Sequence, residues 1–204
     1  SAPKRPRSAP SALIRAATSN CKRRTIEQYA RASARAIFQI HMDKKAFRNL
    51  SYGVYTVTAW DNGRPTGCTA NSAMQITSSP ATIAVSINHD NYTNSVIKEL
   101  GKFAIAIIAE DSDATVIGRF GFMTGRDTDK FDGVPYTVRG MMPIPACAYI
   151  CCNVIDKMET ATHTVFLGEV TDAGVTRSAT PMTYAYYHNV IKGKTAKNAP
   201  TALL

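Results

Sequence analysis

The sequence predicts a mainly β domain with short helices, a β-barrel or sandwich carrying helical decoration. Two observations carry that prediction. Five or more segments between Val54 and Thr171 either alternate apolar and polar residues or run apolar for a strand's length. The helical signals between them are few and short. The bulk composition agrees: across 204 residues, 45% are hydrophobic and 19% charged, enough apolar surface to close a sizeable core.

The elements follow in order. Val54 to Trp60 reads as a strand, and Asp61-Asn62-Gly63 behind it is a strong hairpin turn. Thr82 to Asn88 alternates, with Ile83, Val85 and Ile87 on one face and Ala84, Ser86 and Asn88 on the other. A short helix over about Thr93 to Leu100 ends at Gly101, as a C-cap glycine would end it. Phe103 to Ala109 is a buried strand, and Thr115 to Phe122 a helical turn. Ala146 to Ile155 and Thr162 to Thr171 complete the strands.

The first 41 residues differ in kind, and they divide the chain into a basic extension, 1–41, and a domain, 42–204. Nine Lys or Arg residues stand against the single acid Glu27 in the extension, giving +8 of the total +9. The remaining fifteen basic and fourteen acidic residues leave the domain at +1. A nucleic-acid reading of the domain is therefore weakened, because the basic charge belongs to the tail. Thr25 to Ile40 has the spacing of a helix. Three readings of the extension stay open: a cloning-derived segment ending at His41-Met42, an Arg-rich organelle transit peptide, or a docking helix with a partner in a larger assembly.

Several function classes drop out. The longest clean apolar stretch, Phe103 to Ala109, is seven residues, so no membrane span is expected. No apolar run follows the N-terminal charges as in a secretory signal. Cys21, Cys68, Cys147, Cys151 and Cys152 contain no CxxC pair, so structural zinc and rubredoxin-type iron are not expected. Their odd count fits reduced thiols and a cytoplasmic setting, or an enclosed assembly or organelle if the extension is a native address. GxGxxG, HExxH and GxSxG are absent, and Gly193-Lys194-Thr195 lacks the P-loop's earlier glycine, the position being His188.

Four segments remain to be weighed for function. Gly67-Cys68-Thr69-Ala70-Asn71-Ser72-Ala73 combines small residues, which let a ligand approach the backbone, with hydroxyl and amide groups. The same residues also suit a plain polar turn. Ser86, Asn88 and the run His89 to Ser95 lead into a helix N-terminus, a ready anion site or a simple N-cap at Thr93 or Asn94. His163 shares a strand face with Val165, Leu167 and Glu169, where it is either structural or a hydrogen-bond donor beside a redox ring. The aromatic and basic run Tyr184 to Lys194 reads as a lid over a pocket or as an interface strap.

Taken together these motifs have an order. Tyr52 to Thr58, Gly67 to Ser72, Gln75 to Pro80, Ser86 to Thr93, His163 to Val170 and Tyr187 to Lys194 resemble, in sequence, the flavin reductase-like FMN-binding split-barrel family. Within it the likeness is to flavoredoxins and to the flavin domain of high-molecular-weight rubredoxins. It runs from about Met42 to Thr201.

The resemblance implies a six-stranded split barrel forming a homodimer, with FMN near the subunit interface. Thr69, Ala70, Asn71 and Ser72 would contact the flavin and its ribityl-phosphate, and Ser86, Asn88, Asn91 and Thr93 would complete the phosphate and ring-edge contacts. His163 matches a histidine placed beside the flavin and the nicotinamide site, although Ala161-Thr162 stands where Gly-Asp is usual. The implied activity is transfer of electrons from NADH or NADPH through FMN to free flavin, iron or a redox protein. The alternative is an FMN-binding electron carrier that does not meet nicotinamide. The four cysteines of a rubredoxin module are missing, so a rubredoxin or flavodiiron partner would be a separate protein.

Overall fold

The two edges of a seven-stranded antiparallel sheet are joined by only three residues. The computed structural model describes residues 43–138, 142–143, 146–196, 199 and 201; the helix read at Thr25 to Ile40 lies outside them. A 3-10 turn, Lys44–Asn49, precedes β1 (Tyr55–Asp61), β2 (Arg64–Ala70), β3 (Met74–Ser78) and β4 (Ala81–Asn88). Helix α1 (Tyr92–Leu100), β5 (Lys102–Ile108) and helix α2 (Ala114–Phe122) follow. A small ribbon of β6 (Tyr136–Thr137) and β7 (Met142–Pro143) leads into the long pair β8 (Ala146–Glu159) and β9 (His163–Val175), then helix α3 (Tyr184–Asn189).

The strand order is β2-β1-β5-β8-β9-β4-β3. A flat sheet of seven strands would hold its edges about 29 Å apart. The chain from Ala70 to Met74 can span at most about 14 Å. The sheet must therefore curl until β2 and β3 approach, and since no ladder joins them the barrel is split along that seam. The resemblance implies six strands; the seventh is β3, a short exposed edge that folds back on β4 through Ser79 and Pro80.

Alternation fixes the inside. Val57 and Ala59 of β1, Ile83, Val85 and Ile87 of β4, Phe103 and Ile105 of β5, Cys152 of β8 and Phe166 of β9 form one buried cluster. Val96 and Ile97 of α1 join it, so that helix packs into the barrel core. The expected division of β4 holds, with Val85 fully buried and Ser86 on the opposite face, half-buried.

Turn chemistry sets the register. Asn62 and Gly63 both take positive φ, 47° and 85°, as a two-residue hairpin between twisted strands requires. Gly101 ends α1 at φ 69° and donates to the Ile97 carbonyl at 2.9 Å. Asp113 caps α2, its Oδ1 accepting from the Thr115 N–H at 2.8 Å. The polar-turn reading of Gly67 to Ala70 needs correction: the segment lies in β2, because pairing with Thr58 to Tyr55 outweighs its low strand propensity. The aromatic run at Tyr184 is a helix, started by the Thr183 hydroxyl accepting from the Tyr186 N–H at 3.1 Å.

Candidate functional site

The seam of the barrel opens into a cavity of about 380 Å³. Its walls include the end of β2 with the link Asn71-Ser72, the outward residues Ser86 and Asn88 of β4, Asn91 and Tyr92 at the start of α1, the end of α2 with the loop to Gly125, Lys130, His163, and residues of the stretch that begins at Tyr184. Ile87, Ile117, Phe122 and Met123 supply apolar surface. Such a mixture, apolar walls with a few convergent polar groups in a volume of this size, is what a small-molecule site requires.

Of the nine residues expected at the site, Thr69, Ala70, Asn71, Ser72, Ser86, Asn88, Asn91 and His163 line this one cavity. Thr93 does not. It is 1% exposed on the inner side of α1, where it hydrogen-bonds the Cys68 thiol.

The link that crosses the seam is tied on both sides. The Thr69 hydroxyl donates to the Ile117 carbonyl at 3.0 Å, and the Ser72 hydroxyl to the Ser86 carbonyl at 2.7 Å. Each hydroxyl keeps acceptor capacity for a ligand. The Asn71 amide donates to the Thr201 hydroxyl at 3.0 Å. The Asn88 side chain accepts from the Asp90 N–H at 2.8 Å, which turns the chain into α1.

His163 opens β9 opposite Asn88, and its Nδ1 lies 2.8 Å from the Thr162 hydroxyl. The turn before it is held by Glu159, whose carboxylate meets Lys98 at 2.8 Å, His89 at 3.0 Å and the Thr164 hydroxyl at 2.9 Å. Lys98, then Thr164, hold the Glu159 carboxyl down to about 2. This cluster clamps the β8–β9 turn to α1 and so fixes where His163 stands.

The aromatic and basic run Tyr184 to Lys194, read from the sequence as a lid or an interface strap, forms cavity wall. The Tyr184 hydroxyl lies 2.8 Å from both Thr195 and Thr201, the Thr195 hydroxyl 3.1 Å from His188, and the Tyr187 hydroxyl donates to the Lys194 carbonyl at 3.1 Å. Sequence reasoning missed Lys130, buried at 3% exposure in the same wall; no local pattern marks it, because its partners are 63 and 10 residues away.

A flavin fits this donor set. Hydroxyl and amide groups match the alternating donors and acceptors of an isoalloxazine edge and of a ribityl chain, and the apolar residues suit the ring faces. Among the described residues no cluster of His, Cys, Asp or Glu could hold a metal, and no helix is long and apolar enough to cross a membrane.

Comparison with known proteins agrees with this geometry. Residues 47–194 match the flavin reductase like domain. The chain is 44% identical over 164 residues to a high molecular weight rubredoxin of Moorella thermoacetica, covering 78% of this chain and 72% of the relative. It is 42% identical over 163 residues to a ferric-chelate reductase (NAD(P)H) of Archaeoglobus fulgidus, covering 78% and 96%. Among solved structures, the NADH:FAD oxidoreductase of Streptomyces globisporus C-1027 superposes with a TM-score of 0.62 at 25% identity, covering 69% of this chain and 85% of that one.

Proposed function

The chain belongs to the flavin reductase like domain family, and on that footing we propose that it is an FMN-dependent NAD(P)H oxidoreductase acting at the seam cavity. Its electrons pass from NADH or NADPH to free flavin, iron or a redox protein. The observation that carries this reading is the convergence of eight uncharged or weakly basic residues, from four separate segments, on one cavity beside a split in the barrel.

The flavin, when bound, supplies the hydride and electron chemistry. The residues of this chain position and shield it. Thr69, Ala70, Asn71 and Ser72 bring backbone and short side chains against the ring and ribityl chain, and Ser86, Asn88 and Asn91 bond the remaining polar edge. His163, held by Thr162 and by the clamped turn, orients the ring and the incoming nicotinamide. Tyr184, Tyr187 and the stretch Lys194 to Ala196 wall off water. Cys68 and Cys152 are held as inert thiols: burial pushes Cys68 up, and Cys152 up to about 12.

The protein acts as a homodimer on this reading. Met74, Ala84, Leu167 and Val165 lie on the outer face of neighbouring strands by register, continuing to Met158 and to Ser86 at the cavity. Met74 and Met158 are 63% and 60% exposed. An apolar sheet face that runs up to the site suits a second copy of the chain. A separate redox protein is the natural acceptor, and the free Cys68, Cys147, Cys151 and Cys152 suit a reducing cytoplasm.

The test is equilibrium dialysis of the purified protein against FMN and FAD, with light scattering for mass. The reading predicts about one FMN per chain, tighter than FAD, on a dimer. Uptake of neither flavin contradicts it.

A further inference from the structure

His163 begins β9, and the next residue, Thr164, points to the opposite face and is 0% exposed. Its hydroxyl donates to the Glu159 carboxylate at 2.9 Å and shares that proton with the Oδ1 of Asn94, 3.4 Å away. Asn94 lies in the first turn of α1 and is 2% exposed. The nitrogen of the same amide donates to the Ile87 carbonyl at 2.9 Å. Ile87 and Thr164 stand opposite each other across β4 and β9. So do the next pair, Asn88 and His163, and both of these line the cavity.

Stability does not explain a polar pair in this place. A buried hydroxyl and amide that satisfy each other contribute little more than apolar groups of the same shape. Phe166, two residues along β9 from Thr164, and Ile97, one helical turn after Asn94, are both apolar core. What a hydrogen bond adds to apolar contact is direction, since it weakens steeply off its axis. Through its two ends the Asn94 amide therefore fixes the start of β9 against the end of β4. Glu159 fixes the same hydroxyl to the turn, and Lys98 and His89 hold Glu159 in place. These bonds run from an exposed ion cluster, through one buried hydroxyl, to a helix, and the hydroxyl is a single residue away from the histidine at the cavity.

We propose that Thr164 is a positioning residue for flavin reduction: its hydroxyl, bonded to Asn94 and Glu159, sets the orientation in which His163 faces the flavin and the nicotinamide. This rests on the flavin reading above and gives His163 a support outside the cavity, which Thr164 itself does not line. Without the hydroxyl the start of β9 is free to shift against β4. The His163 ring then leaves the reacting pair, while the hydroxyls and amides that hold the flavin stay where they are.

The experiment measures the limiting rate of FMN reduction by NADH and by NADPH, by rapid mixing without oxygen. It compares wild type, Thr164→Val, Thr164→Ser, His163→Ala and the double variant Thr164→Val with His163→Ala. Thr164→Val keeps the shape and removes the hydroxyl; it should slow reduction about tenfold, as a small misplacement of reacting groups does. It should bind FMN within about threefold of wild type. Thr164→Ser keeps the hydroxyl and should hold the rate within about threefold of wild type. With His163 already replaced, Thr164→Val should change the rate by less than about twofold, because its effect runs through that ring. A wild-type rate in Thr164→Val overturns the proposal. So does a loss in Thr164→Ser as large as in Thr164→Val, an equal loss with and without His163, or a loss of FMN affinity as large as the loss of rate. If Thr164→Val does not fold, Thr164→Ala removes the same hydroxyl and takes its place in each comparison. Wild type that binds no flavin, or whose flavin neither donor reduces, overturns the flavin reading itself.

Discussion

The Asn71 amide donates to the hydroxyl of Thr201 at 3.0 Å, across 130 residues of sequence. Asn71 lies in the link that crosses the barrel seam, and Thr201 lies beyond α3, where its hydroxyl also meets Tyr184 at 2.8 Å. One hydroxyl therefore fastens the wall formed after α3 to the polar link beneath it. A hydrogen bond bounds the cavity at this point.

Thr201→Val should loosen that wall. One neutral hydrogen bond contributes about 0.5–1.5 kcal/mol, so flavin should dissociate roughly two- to tenfold faster. Stopped-flow displacement of FMN measures it, and the melting temperature should fall by only a few degrees. An unchanged dissociation rate would mean that the wall does not retain the ligand.

The Glu159 cluster makes acid stability a readout of the β8–β9 turn. Its carboxyl titrates near 2 in the folded protein against an ordinary 4.5, chiefly through Lys98. A depressed folded value means that the unfolded chain binds the proton first, so the contribution is present above about pH 4.5 and lost as pH falls through about 2. Asp61, Asp111 and Asp113 shift the same way, each through hydrogen bonds to neighbours. Glu159→Gln should flatten part of the acid limb of stability against pH, measured by chemical denaturation between those values. An acid limb identical to wild type would remove Glu159 as its source.

His163→Ala tests positioning at the ring. The variant should fold normally, since the residue is half-buried at a strand end, and should bind FMN within a few-fold of wild type. Reduction by NADH or NADPH should slow by about tenfold or more, because small misplacements of the reacting rings are costly. Rapid-mixing kinetics measure the rate. A wild-type rate would reduce His163 to a structural residue.

Gly168 sets how closely β9 lies against β8 and β5. A Cβ there would come within 2.6 Å of the Cys152 Cβ and 2.7 Å of the Phe103 ring. Gly168→Ala should cost about 1–3 kcal/mol by overpacking and lower the melting temperature by roughly 3–10 °C. The flavin affinity of the folded fraction should be unchanged. A variant as stable as wild type would show that the core has slack that this packing denies.

What could be read along the chain was local. Alternation at Ile83, Val85 and Ile87, the Asn62-Gly63 turn and the Gly101 cap each depend on neighbours within a few residues. The polar runs at Thr69 to Ser72 and at Ser86 to Asn91 were visible for the same reason. Thr93 could not be told apart from the cavity residues along the chain, because a threonine at a helix start looks alike whether it faces the cavity or the core. Lys130 was invisible because its meaning comes from Gly67 and Phe120, brought to it by the fold. Short β3 escaped because its residues are all exposed and carry no burial alternation.

The central claim is that a flavin seated at the barrel seam takes electrons from a nicotinamide. Anaerobic addition of NADH, and separately NADPH, to the FMN-loaded protein tests it most directly. Loss of the visible flavin absorbance within seconds with at least one donor is the predicted result. A flavin band that persists for minutes with both donors would contradict the account.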